Sequence, residues 1–193
     1  MKNDDKKLLL HACCGPCSTT ALERLLQDYC VTVFFYNPNI APHSEYTLRR
    51  DEAKRFTELA YGGKVLFVEG RYNPDFFLKA VKGYEQEPEG GLRCKICYRL
   101  RLEETARYAK ENGFSLFCTT LTVSPHKNAL LINKTGKDLA AKYNGLDYLP
   151  SDFKKRNGFR RSVELSQLYH IYRQNYCGCQ FSLSPSSICK GNV

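Results

Sequence analysis

Short apolar runs alternating with longer amphipathic stretches constrain this chain more than any other feature. The runs are "KLLLHA" (7–12), "VTVFFYN" (31–37), "KVLFVE" (64–69) and "SLFCTT" (115–120). Each is brief, nearly continuous in its apolar residues, and without the sustained alternation of a strand that has one wet face. Strands of that kind are covered on both sides, as in parallel sheets. Between them the spacing predicts helices over about 17–28, 44–60, 94–112 and 127–143, with Ser44 as an N-cap and Gly62, Gly63 and Gly113 as stops. The expected fold is therefore α/β: an open, mostly parallel sheet flanked by helices, with its ligand beyond the carboxyl ends of the strands. Residues 145–193 differ in character. They open on "SDFKKRNGFRR" and place Leu165, Leu168, Tyr169 and Tyr172 at helical spacing behind a Ser162 cap. One α/β domain over 1–193 is expected, with 145–193 as a basic, helical extension packed on it.

A chain of 193 residues buries enough apolar surface to fold without disulfides, yet it carries ten cysteines. Its charged start, "MKNDDKK", and the lack of any apolar stretch of membrane-spanning length point to the cytoplasm and to no membrane partner. In a reducing compartment, clustered cysteines indicate metal or redox chemistry more often than structural bridges. The net charge of +9, from 29 Lys and Arg against 20 Asp and Glu, favours a polyanionic partner.

Seven cysteines form three groups. "HACCGPCS" places Cys13, Cys14 and Cys17 where the first strand ends and the first helix begins, with Gly15 and Pro16 suited to a tight helix start. The helix amino end lowers thiol pKa values and favours thiolates. "RCKICYRLR" sets Cys94 and Cys97 three apart on one helix face, and "NYCGCQ" sets Cys177 and Cys179 around a glycine. Cys30, Cys118 and Cys189 stand alone and read as core or tail residues. Three chemistries suit the seven: an iron–sulfur cluster with thiols to spare, a structural zinc site, or a thiol–disulfide exchanger. Only one clean C-x-x-C pair exists, and seven thiols exceed what a closed zinc site needs.

Polar residues after the strands are candidate substrate contacts: Tyr36, Asn37 and Asn39 after the second, and Thr119, Thr120 and Ser124 after the fourth. His11 is either a proton donor or a satisfied core histidine. Five basic residues fall within the eight of "KKRNGFRR", around Phe159, which suits phosphate contact beside a stacking ring. Lys154, Lys155, Arg160 and Arg161 are the candidate nucleic-acid contacts. Asp152, an acid amid these bases, is the candidate general acid or outer ligand; its plainer reading is an ion pair with Lys154 or Arg156. Tyr46, Arg49 and Arg50 either reach the site or lie on a solvated helix face.

The strings "HACCGPCS", "YNPNIAPHSEY", "RCKICYRLRLEETA", "FCTTLTVSPHKN" and "SDFKKRNGFRRSVELSQLYHIYRQNYCGC" together resemble the QueH-type epoxyqueuosine reductase family, in order and over nearly the whole chain. That resemblance implies a fold related to adenine-nucleotide α-hydrolases, a [4Fe–4S] cluster, and an iron–sulfur oxidoreductase that reduces the epoxide of epoxyqueuosine in a tRNA anticodon loop, the last step of queuosine formation. Matched to the family motifs, Cys13, Cys14, Cys94 and Cys97 are the expected cluster ligands. Cys17 is then a fifth metal-binding thiolate, completing the cluster or holding a second, mononuclear iron. Cys177 and Cys179 are expected at the reaction as ligands of that second metal, a dithiol shuttle or a nearby bridge. An electron donor is implied but unidentified. ATP is not expected, because "CCGPCS" offers one glycine where a phosphate loop needs several. No cobalamin site is recognisable. The alternatives are a zinc-bearing tRNA-binding module and a thiol–disulfide enzyme without cluster chemistry.

Overall fold

The computed structural model describes residues 6–183. Its five strands are β1 (Lys7–Ala12), β2 (Cys30–Phe35), β3 (Leu66–Glu69), β4 (Leu116–Thr119) and β5 (Asp147–Tyr148). All pair in parallel in the order β3-β2-β1-β4-β5, so β1 is central, with Leu10 opposite both Val33 and Cys118. Six helices connect them: α1 (Gly15–Leu25), α2 (His43–Tyr61), α3 (Pro74–Ala80), α4 (Leu92–Glu111), α5 (Ala129–Ala140) and α6 (Gly158–Leu168).

The strand residues divide by parity, as a pleat requires. Leu8, Leu10, Ala12, Val33, Phe35 and Cys118 join a core with α1, α2 and the segment after α6, whereas Leu9, Phe34 and Phe117 join a second core with α4 and α5. Helices therefore cover both faces, which is why the strands read as unbroken apolar runs. Leu8, Leu9 and Leu10 are wholly buried, each worth roughly 2 kcal/mol of transfer free energy.

Several expected boundaries move for identifiable reasons. Ser44 is not a cap; α2 starts a residue earlier after Pro42, while Gly62 ends it in a left-handed conformation whose N–H donates to the Glu58 carbonyl at 2.8 Å. Ser162 lies inside α6, which follows a left-handed Asn157, and that helix stops at Leu168, leaving Leu168 exposed. Tyr169 packs edge-on against Phe56 after the helix has ended. Asn128 caps α5 by accepting from the Leu131 N–H at 3.1 Å, so α5 begins two residues later than expected. Cys118 is a core residue, Cys30 is exposed at the start of β2, and Cys189 lies outside the described residues. No helix among the described residues is long and apolar enough to cross a membrane.

Candidate metal centre

Cys13 and Cys14 follow the central strand, and Cys14 is the N-cap of α1, with Pro16 in its first turn. Gly15 is required by close approach: a Cβ there would meet Ile171 Cγ2 at 3.0 Å and the Ala53 backbone N at 3.5 Å. This turn gathers the sulfurs of Cys13, Cys14 and Cys17 within 4.8 Å of one another. Thr120, just past β4, accepts from the Cys13 N–H at 3.1 Å and donates to Cys13 Sγ at 3.3 Å. Gln174 Nε2 donates to Cys14 Sγ at 3.0 Å. Hydrogen bonds from the Cys14 and Cys17 thiols pull Cys13 well below the ordinary thiol range. The same sharing pushes Cys14 up to about 12 and Cys17 well above its usual value. The three thiols thus share hydrogen bonds and titrate together, a donor set that a soft cation would complete by displacing their protons.

The helix pair sorts elsewhere. Cys97 is buried in the first turns of α4 and packs with Cys179, Phe77 and Val81. Burial raises its thiol to about 12, and the charges acting on it include those of Cys177, Cys179 and Cys94. Burial raises Cys179 as well. Neither Cys94 nor Cys97 joins the compact Cys13 group. The expected quartet, Cys13, Cys14, Cys94 and Cys97, thus spans this compact turn and the first turns of α4, where Cys97 also packs with Cys179.

That returning segment, 169–179, is bound to α2 side chains along its length. Glu52 accepts from the Tyr172 N–H at 2.8 Å, and Tyr172 Oη donates to Glu45 at 3.1 Å. Arg49, 2 % exposed, donates from Nε to Glu45 at 2.7 Å and from its two terminal nitrogens to the Cys177 and Tyr176 carbonyls at 3.1 and 3.2 Å. Its guanidinium also lies over the Tyr176 ring, 4.8 Å from the centroid. Gly178 has φ +107°, and a Cβ there would sit 2.7 Å from Arg49 Nη1, so glycine between the two cysteines is demanded twice over. Arg49 is thus not on a solvated face: it holds the last cysteine pair in place. Its signal in the sequence was position, since Tyr46, Arg49, Ala53 and Phe56 form the buried stripe of α2.

Between the two thiol groups opens a cavity of about 560 Å³, lined by Cys13, Cys17 and Cys177 and by Asn37, Asn39, Arg101, Ser124, Lys127 and Gln174 among others. Asn37 Oδ1, both amide atoms of Asn39, Gln174 Oε1 and Arg101 Nη2 are buried without a hydrogen-bond partner. Unpaired polar atoms are costly to bury, so this wall presents polar groups for water or a polar ligand to satisfy.

A family model described as "Epoxyqueuosine reductase QueH" matches residues 8–185. The chain belongs to that family. It is 47% identical over 184 residues to the epoxyqueuosine reductase QueH of Streptococcus pyogenes, covering 94% of this chain and 72% of the relative. With the protein of that name from Staphylococcus epidermidis it shares 46% over 187 residues, 94% of this chain and 78% of the relative. With the one from Thermotoga maritima it shares 38% over 179 residues, covering 91% of this chain and 90% of the relative.

Set in a QueH chain, the other expected site residues fall into three places. Asn37, Asn39 and Ser124 line the cavity; Asn37 Nδ2 also donates to the Ala12 carbonyl at 2.9 Å. Thr119 and Thr120 are wholly buried behind it and act on neighbours instead: Thr120 on Cys13, and Thr119 on His11 Nδ1 at 2.8 Å. His11 Nε2 donates to the Tyr36 carbonyl at 3.0 Å, and burial lowers its pKa to about 4, so it is a neutral core histidine. Tyr36 is buried on the α4 side and does not line the cavity; Tyr46, buried in the opposite core and donating from Oη to Glu69 at 2.9 Å, does not line it either, while Arg50 pairs with Asp51 and Glu69. Asp152, Lys154 and Lys155 line a shallow groove that meets the cavity at Pro125, His126 and Lys127. There Asp152 forms ion pairs with Lys154 at 3.1 Å and Lys155 at 3.8 Å, the plainer of its two readings. Arg160 pairs with Glu164, and Arg161 with Glu23 and Glu164, on the exposed side of α6. Of the three residues expected either at the site or on a solvated face of α2, only Arg49 lines the cavity; residue-level reading missed Arg101 and Lys127.

Proposed function

We propose that this protein reduces the epoxide of epoxyqueuosine in tRNA, with Cys94, Cys97, Cys177 and Cys179 holding a [4Fe–4S] cluster and Cys13, Cys14 and Cys17 holding a single iron. The observation that carries the reading is two groups of cysteines reaching one cavity, through Cys13 and Cys17 on one side and Cys177 on the other, beside Arg101 and Lys127, neither of which forms an ion pair among the described residues. Four thiolates suit a cluster, and three leave an open position for a substrate oxygen. When bound, these irons supply single electrons and a Lewis acid. The reaction consumes two electrons and two protons, breaks both C–O bonds of the three-membered ring, and releases an alkene and water.

The chain's own residues supply the surroundings. Asn37, Asn39 and Gln174 offer unpaired amide atoms to the edge of an extruded base, the usual way a protein reads a nucleotide removed from its stack. Phe159 and Tyr176, also on the cavity wall, present rings to an unstacked base. Lys154 and Lys155 on the adjoining groove serve the phosphate backbone, with Asp152 spacing their charges. Arg160 and Arg161 extend the same basic surface. The extension from 145 onward thereby serves both substrate and metal, since it carries these bases and Cys177 and Cys179.

Protein purified without oxygen is expected to contain iron and acid-labile sulfide and, with a chemical reductant, to convert epoxyqueuosine to queuosine in tRNA, read by mass spectrometry of digested nucleosides. Colourless protein holding stoichiometric zinc and leaving the epoxide intact would instead establish the zinc-bearing tRNA-binding module.

A further inference from the structure

We infer that Arg101 is the fixed charge that sets the reduction potential of the redox centre. This rests on the reading that the thiols hold an iron–sulfur centre, and it assigns a positioning role to a residue that reading leaves unused. Arg101 belongs to the buried stripe of α4 with Cys97, Tyr98 and Leu102 and is only 2 % exposed. Nε donates to the Cys97 carbonyl at 3.2 Å, the carbonyl of a cysteine one helical turn earlier. Its guanidinium lies 5.8 Å from the Tyr98 ring centroid. Nη2 has no hydrogen-bond partner, and the side chain lines the cavity together with Cys13 and Cys177. Arg101 therefore stands between the two thiol groups, anchored to one and bordering the space shared with the other.

Its charge has no carboxylate to answer it: among the described residues, neither Arg101 nor Lys127 forms an ion pair. Against its burial, the groups that act on the guanidinium are the thiols of Cys97, Cys177 and Cys13 and the Tyr98 hydroxyl. A buried guanidinium remains charged, and an uncompensated one is tolerated only where negative charge is supplied. Once the thiols hold the proposed centre, their sulfurs would supply it as thiolates. A fixed positive charge in a weakly screened interior favours whichever partner state is more negative, and for a one-electron couple that is the reduced state. The step is the transfer of one electron from a low-potential donor to the oxidised centre; no bond forms or breaks at Arg101, and no proton moves through it. Holding the centre at a higher potential than its thiolates alone would give makes it easier to refill between the two electron deliveries that the epoxide requires.

The test uses the iron-loaded protein, reduced stepwise with dithionite and mediators while the centre is followed by absorbance and electron paramagnetic resonance. Arg101→Met is expected to lower the midpoint potential at unchanged iron and sulfide per chain, and Arg101→Lys to restore it. A merely structural role would not be rescued in potential by charge alone. If Arg101→Met does not load iron, Arg101→Gln, which keeps a donor for the Cys97 carbonyl, carries the measurement. An unmoved potential in a fully loaded neutral variant overturns the inference alone; wild-type protein without iron and sulfide overturns the underlying reading and this inference with it.

Discussion

The two thiol groups reach the same cavity by opposite routes. Cys13, Cys14 and Cys17 span five positions of one strand-to-helix junction, and the central strand fixes them through its register with both neighbours. Cys97 meets Cys179 through the segment after α6, which is tied across α2 by Arg49, Glu45 and Glu52. The first group is local and inherits the rigidity of the sheet. The second is tertiary and is only as firm as its ties. Local assembly tolerates loss of distant contacts, whereas tertiary assembly transmits them directly to its sulfurs.

Removing ligands from each group should separate them most sharply. Cys97→Ser or Cys179→Ser is expected to abolish labile sulfide and lower turnover by at least about a hundredfold, a loss at the upper end of what even outer-sphere changes at metal sites produce. Cys17→Ser should retain sulfide and lose close to one iron, so iron and sulfide counts on the purified variants decide whether the groups are independent. Equal loss of sulfide in all three would mean a single shared site.

Cutting the ties without touching a cysteine comes next. Arg49→Leu leaves Glu45 half-buried opposite no cation and frees two carbonyls, which should cost about 3 kcal/mol. Urea unfolding should register this as a lower midpoint. The variant should also surrender labile sulfide to a chelator faster than wild type while the iron of the Cys13 group stays. Outside both groups, Lys154→Glu with Lys155→Glu should reduce tRNA affinity by about tenfold at moderate salt and lower the salt slope by about one per lysine, with metal content unchanged.

The smallest effect concerns pH. Glu52 holds its carboxyl below the ordinary value through Arg55, aided by the Tyr172 N–H. A depressed folded pKa gives stability that is present above the unfolded value and lost as pH falls through the folded one. Glu52→Gln should therefore be less stable than wild type near neutrality, by about 1 kcal/mol, and the two should converge in acid below the usual carboxylate range. Denaturation midpoints across pH will show whether this tie closes the segment.

The sheet was legible from β1, β2 and β4 because burial on both faces writes itself as unbroken apolar sequence. α3 was not: seven residues leave too short a pattern, although Asn73 before Pro74, accepting from the Phe76 N–H at 3.3 Å, is a cap signal. The two-residue β5 exists only through pairing with β4. For the site, spacing grouped the cysteines within each motif but could not say which motifs meet, since the meeting of Cys97 with Cys179 depends on Arg49 acting across 128 positions to the Cys177 carbonyl. Arg101 escaped notice because a charged residue within an apolar stripe looks like a solvated neighbour until its burial is known.

The segment bound along α2 also imposes an order on maturation. Cys177 and Cys179 follow every other cysteine of the two groups in the chain, so a ribosome releases them last. Until then Cys97 lacks its apolar partner and Arg49 has no carbonyls to hold, while the thiols at the head of α1 have long been synthesised. The nascent protein thus passes through a stage at which one set of sulfurs is ready and the other is half built, and the second set can be completed only after translation has passed Cys179.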